Sequence, residues 1–186
     1  MTFIGCDAPY EPANAVLFGA PFDSTTTFRP GARFGPSAMR LESDGIEIYS
    51  PYQSLGLEDF SVHDAGDLEL PFGNAEAALY RIEAFAWKVM EDGKTPCMIG
   101  GEHLVTLGAL RAVAARHNGL RLVHFDAHAD MRDDYMGEKL SHATVMRRAW
   151  EILGDGMIYQ FGVRSGSKSE MDWSRGRVER ELFGAA

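Results

Sequence analysis

An α/β fold built on a parallel sheet is predicted by two features of the 186-residue sequence. Short apolar runs of strand length alternate with longer stretches whose apolar residues recur at helical spacing, the pattern of βαβ units. The residues able to do chemistry, histidines and aspartates, fall at the carboxyl ends of those runs, where parallel sheets bind their ligands.

The elements follow in chain order. Residues 15–19 (AVLFG) read as a strand bounded by Pro21 and Asp23. A polar loop, STTTFRPGARFGP, leads to a helix that starts at Pro36 and continues over residues 37–41; proline's fixed φ suits a first helical turn. Residues 60–64 are a second strand, closed by Gly66. Residues 75–90 put Leu79, Ile82, Phe85, Ala86 and Val89 on one side of a helix, which Asp92-Gly93 ends. Residues 95–99 (TPCMI) are a third strand running into Gly100-Gly101. A helix over 104–116 ends at His117-Asn118-Gly119, and 120–125 (LRLVHF) is a fourth strand. A helix over 142–153 ends at Gly154, 157–162 is a fifth strand, and 167–182 is a polar, charge-rich tail, helical in part. The length suggests one domain over residues 1–186.

Composition narrows the function classes. With 45% hydrophobic and 24% charged residues the chain is ordinary for a globular protein. No apolar run approaches the roughly 18 residues of a membrane span, so no membrane partner is expected. The start, MTFIGCDAPY, lacks the basic and apolar regions of a signal peptide. Cys6 and Cys97 lie far apart with no CxxC partner, which suits a reducing cytoplasm better than a disulfide framework. A net charge of −9 disfavours nucleic acid as a partner and is compatible with a cationic substrate.

The chemistry concentrates in three motifs. HFDAHAD, residues 124–130, ends a hydrophobic strand. In extended chain, residues two apart face the same side, so Asp126, His128 and Asp130 would project together. Carboxylates and an imidazole suit Mn²⁺, Fe²⁺ or Zn²⁺, and the oxygen-rich mix favours Mn²⁺. A solvated acidic turn with a chance histidine is the plain alternative, and this motif alone does not decide. GGEH, residues 100–103, also ends a strand and opens a helix, which brings His103 to the same sheet edge one βαβ unit away; two glycines permit a tight turn there. Two such edges on consecutive strands tip the balance toward metal. In GEKLSHATVMRR, His142 opens a helical stretch, close enough to exchange a proton near a metal-bound water, or else simply facing solvent.

Other residues read as structural. His63 lies at a strand end as a satisfied histidine, and His117 complements a helix C-terminus. His124 alternates with Asp126 but lies deeper in the strand and is not taken as a ligand. Arg147 and Arg148 read as surface charges or ion-pair partners. The sequence has no GxSxG, GxxxxGK[ST] or HExxH motif, and Gly162-Val163-Arg164-Ser165-Gly166 is not a dinucleotide fingerprint.

Taken in order, GAPFDSTTTFRPGARFGPSAMR (19–40), DAGDL (64–68), GGEH (100–103), DAHADMRDDYMGEKLSHATVMRR (126–148) and GVRSG (162–166) resemble the ureohydrolases, the arginase and agmatinase family, and bacterial agmatinases in particular. The resemblance implies a three-layer α/β/α sandwich around a parallel sheet, with two Mn²⁺ at its carboxyl edge. It implies that His103 binds one ion and His128 the other, that Asp126 bridges both, that Asp130 completes the first, and that His142 shuttles protons. The implied reaction is hydrolysis of a guanidino compound, agmatine first, to urea and an amine. The family also implies a homo-oligomer, a trimer or hexamer.

Two departures stand out. Glu102 occupies a position where the family usually has aspartate, and the later SxDxDxxDP-type motif, which supplies two further aspartates, does not occur in the 186 residues. The family fold is therefore expected to be incomplete at the C-terminus, with weak ion binding and little or no urea release. The alternative reading is a truncated, non-catalytic homologue serving as a metal-binding or assembly subunit; a related guanidino-acid hydrolase is the other.

Overall fold

The computed structural model describes residues 1–181; of the predicted tail, Leu182 lies outside the described residues. Among the described residues there are eight strands and five α-helices. The strands are β1 (Ala15–Ala20), β2 (Tyr49–Ser50), β3 (Leu55–Gly56), β4 (Val62–Asp67), β5 (Thr95–Gly100), β6 (Leu122–Phe125), β7 (Ile158–Phe161) and β8 (Glu179–Arg180). The helices are α1 (Gly35–Glu42), α2 (Ala75–Glu91), α3 (Thr106–Arg116), α4 (Val145–Leu153) and α5 (Lys168–Ser174). Among the described residues, β4-β1-β5 and β6-β7-β8 are two three-stranded sheets, parallel throughout, and β2-β3 is a short antiparallel hairpin. Parallel strands flanked by helices are the α/β sandwich predicted, with the sheet hydrogen-bonded in two groups of three.

The core follows the periodicities. In β1, Val16, Phe18 and Ala20 are fully buried, the alternation of a strand. In α2, Leu79, Ile82, Ala86 and Val89 are buried as the spacing predicts, and Phe85 sits half-buried with its ring 4.9 Å from that of Phe18. The Asn74 side chain caps this helix by accepting from the Ala77 N–H. α2 packs on α3 through Gly108, where a Cβ would lie 2.8 Å from both the Ile82 side chain and the Leu79 carbonyl oxygen. Glycine therefore sets how closely the two helices approach. No helix among the described residues is long and apolar enough to cross a membrane.

Several element boundaries differ from the sequence reading: the second strand, expected over 60–64, is Val62–Asp67 with Gly66 inside it, and two further differences bear on the site. The helix predicted from residue 142 begins at Val145. The Thr144 hydroxyl donates to the Lys139 carbonyl and accepts from the Ser141 N–H, so side chains take up backbone groups that a helix would otherwise pair. β6 stops at Phe125 rather than carrying the HFDAHAD motif in extended form. The Asp126 carboxylate accepts from the His128 N–H at 2.8 Å, which curls the chain at once.

Candidate metal centre

Two strand ends build the site. After β5 the chain turns through Gly100 and Gly101, and the Gly101 and Glu102 N–H groups donate to the Ala20 and Phe22 carbonyls at 2.8 Å each. A Cβ on Gly101 would lie 2.1 Å from the Phe22 carbonyl oxygen, so only glycine allows this approach. The turn ends in a 3₁₀ segment, His103–Val105, that carries His103 to the sheet edge.

The second end follows β6. The Asp126 N–H continues the ladder onto the Phe161 carbonyl, and the loop beyond is pinned on both sides. The Ala127 carbonyl accepts from the Arg164 and Ser165 N–H groups. Asp130 has φ 50, a left-handed backbone that aspartate tolerates, and its carbonyl accepts from the Met146 and Arg147 N–H groups. Those amides belong to the first turn of α4, where helices leave donors without partners. The loop that carries the aspartates and the helix behind it thus hold each other.

The result is a cluster of donors. One atom each from His103, His124, Asp126 and Asp130 lies within 4.8 Å of the others. His103 Nδ1 is 2.8 Å from Asp130 Oδ2 and 3.5 Å from Asp126 Oδ2. His128 stands at the rim, its ring largely exposed, with Nδ1 3.3 Å from Asp126 Oδ1. His103, Asp126, His128, Asp130 and His142 all line one cavity of about 490 Å³. All five residues singled out in the sequence therefore meet in one place, and His124 joins them.

Burial pushes the Asp126 carboxyl upward, but the hydrogen bond from the His128 N–H and the nearby His103 and His124 rings outweigh it and hold it below the ordinary carboxylate value. Burial depresses His124, with His103 adding to the effect. Among the described residues neither Asp126 nor Asp130 has a lysine or arginine within ion-pair distance; both face only imidazoles. Two imidazole nitrogens and two carboxylates meeting without a protein cation form a donor set that fits a divalent ion of the Mn²⁺ type.

His142 is fixed from a distant part of the chain. Its Nδ1 lies 3.0 Å from the Thr25 carbonyl oxygen, and its N–H donates to the Thr25 hydroxyl at 3.3 Å. Glu102, buried, accepts from the Thr25 N–H at 2.7 Å and from the Thr25 hydroxyl. Glu102 is thus not one of the clustered donors; it anchors the loop that positions His142. Sequence reasoning missed this pairing, which spans 117 residues from Thr25 to His142 and leaves no local signal. His63, as expected, is satisfied structurally, with Nδ1 2.8 Å from the Ala8 carbonyl oxygen. Arg147 and Arg148 both reach Asp133, and Arg147 lies over the Trp173 ring.

Comparison with known proteins gives the family. Agmatinase of Bacillus subtilis is 46% identical over 173 residues, 93% of this chain and 60% of that protein. Guanidinobutyrase of Pseudomonas aeruginosa is 36% identical over 90% of this chain and 54% of that protein. The solved agmatine ureohydrolase of Thermoplasma volcanium matches with a TM-score of 0.88 at 37% identity, over 96% of this chain and 60% of that one. The chain spans 54–60% of the length of these relatives. Residues 13–182 match the model of the arginase family. By sequence over that span and by fold, the chain belongs to the arginase family.

Proposed function

We propose that this chain carries the ion-binding part of a binuclear-manganese hydrolase that converts agmatine to putrescine and urea. The observation behind the reading is the donor cluster without a protein cation, which lies within the residues that match the arginase family. His103, Asp126, His128 and Asp130 would hold the two Mn²⁺ ions. When bound, such a pair lets water act as a nucleophile near neutral pH. The chain's own residues do the rest. His142, tied through Nδ1 to the Thr25 carbonyl, presents its other ring nitrogen to move a proton to the departing amine. The two unpaired cysteines suit a cytoplasmic setting.

The test is urea release by this chain with added Mn²⁺ from agmatine, 4-guanidinobutyrate and arginine, beside an Asp126→Ala control. Turnover is expected to be low, because the sequence lacks the two further aspartates of the family motif, so the ranking of substrates is the readout. Agmatine should lead, and Asp126→Ala should abolish release. Preference for 4-guanidinobutyrate would move the assignment to a guanidino-acid hydrolase. No urea from any substrate, with a folded chain that binds Mn²⁺, would overturn the hydrolase reading in favour of a metal-binding or assembly role.

A further inference from the structure

His124 belongs to the donor cluster by distance, yet its ring is already committed elsewhere. Nδ1 lies 3.0 Å from Gln160 Nε2, and Nε2 lies 3.3 Å from Asp126 Oδ2. Gln160 is fully buried, and neighbours with only one hydrogen-bonding role fix the direction of its amide. Arg180 donates to Gln160 Oε1 from Nε at 2.9 Å and again from Nη2. The Ala129 carbonyl accepts from Gln160 Nε2 at 2.8 Å. A guanidinium only donates and a carbonyl only accepts, so Oε1 must face Arg180 and the amide NH₂ must face Ala129 and His124. His124 Nδ1 therefore accepts. A ring that accepts at Nδ1 is neutral and carries its proton on Nε2. That N–H points at Asp126, and a protonated nitrogen has no lone pair to give an ion. His103 differs: its Nδ1 faces Asp130 and Asp126 with no other hydrogen-bond partner among the described residues.

We propose that His124 is not an ion ligand but the positioning residue for Asp126, held as the Nε2–H tautomer by the buried relay Arg180–Gln160. The relay runs in one direction, from guanidinium to amide to imidazole to carboxylate. It reaches the site from β8 through β7 and β6, so three neighbouring strands cooperate in aiming one carboxylate oxygen. The consequence for ion binding rests on Asp126 being a ligand, as proposed above; the tautomer does not.

The experiment is nitrogen-15 imidazole spectroscopy on the full chain without metal, with the His124 signals assigned by their loss in His124→Gln. The expected spectrum shows Nε2 protonated and Nδ1 not. Protonation at Nδ1, or at both nitrogens, would overturn the proposal. Gln160→Glu replaces the donor facing Nδ1 with an acceptor and should move a proton onto Nδ1; if that variant does not fold, the parent spectrum still decides. Mn²⁺ titration calorimetry tests the role. His124→Leu should weaken binding about 10–100-fold with stoichiometry unchanged, the usual cost of losing a residue behind a ligand. His124→Gln, which keeps an N–H toward Asp126, should restore most of that loss. A fall in stoichiometry in both variants would make His124 a ligand and sink the idea. If the parent chain binds no Mn²⁺, the ion reading fails, while the tautomer measurement still judges the relay.

Discussion

Two aspartate pairs lie on or just after parallel strands in this molecule, and their surroundings give them opposite roles. Asp64 lies within β4 and Asp67 ends it; Asp126 and Asp130 follow β6. Asp64 accepts from the Phe3 and Gly66 N–H groups at 2.8 and 2.9 Å and from Arg40 Nε and Nη2 at 2.7 and 2.9 Å. Arg40, buried, also reaches Asp67, whose carboxylate accepts from the Ser37 hydroxyl at 3.0 Å. That pair carries its own cation and has its hydrogen bonds filled. Asp126 and Asp130 lie against histidines only, at the wall of a cavity. DAGD and DAHAD look alike as strings, but the distinguishing residue, Arg40, lies on α1, 24 residues before Asp64. A closed carboxylate pair is architecture. One left open toward solvent is available for a cation from outside.

The sharpest way to break this comparison is Arg40→Leu. Removing one partner of a buried pair leaves an uncompensated charge and costs about 3–5 kcal/mol. Chemical denaturation at neutral pH should show that loss, and a change under about 1 kcal/mol would mean the pair is not structural. The pH dependence adds a sign. Burial raises the Asp64 carboxyl, but the Arg40 and backbone hydrogen bonds outweigh it, so its value in the folded protein lies below the ordinary 3.8. The unfolded chain therefore binds more protons in this range, and the stabilisation is present above about pH 4 and lost as pH falls through the folded value. In Arg40→Leu, Asp64 keeps its burial without the guanidinium, so the deficit should shrink on acidification. A deficit that stays constant from pH 7 to pH 3 would argue against the assignment.

The same contrast shows what was legible in the sequence. The ends of β1, β5 and β6 could be read to within a residue because apolar runs stop near glycines or charged residues, and that was enough to bring His103 and Asp126 to one edge. Helix α2 was legible from its spacing alone. The curl after Phe125 was not, because it depends on the Asp126 side chain bonding its own backbone rather than on a turn residue. Nor was the start of α4, where the Thr144 hydroxyl takes up the Ser141 N–H and the Lys139 carbonyl. The residues that orient the site act across the fold: Gln160 reaches His124 from 36 residues away, Arg180 reaches Gln160 from 20, and Glu102 reaches Thr25 from 77. No local pattern marks such pairs. The period-two step from His124 to Asp126 hinted that the ring faces the site, but only the fixed donors and acceptors around it show how it is used.

A smaller effect sharpens the comparison from the open side. If the Asp126–Asp130 pair awaits a cation, Mn²⁺ should stabilise the folded chain by mass action, about 2.7 kcal/mol at a concentration one hundred times the dissociation constant. Thermal denaturation with and without Mn²⁺ measures this, and Mg²⁺ at equal concentration controls for ionic strength. Arg40→Leu should keep the Mn²⁺ increment despite its lower baseline, because its defect lies on the other pair. Asp126→Asn should lose the increment.

The smallest expected change is Asp126→Asn without metal. The amide oxygen can still accept from the His128 N–H, and the one hydrogen bond given up is the long one from the His124 Nε2–H at the partly exposed Oδ2 position. The substitution removes a partly exposed charge with no arginine or lysine beside it, so stability should shift by less than about 1 kcal/mol. A loss as large as that of Arg40→Leu would mean that the Asp126 carboxylate is already satisfied by the protein, and the two pairs would then be alike. A near-neutral result, combined with loss of the Mn²⁺ increment, would show that the charge at Asp126 serves an external ion and contributes little to holding the fold.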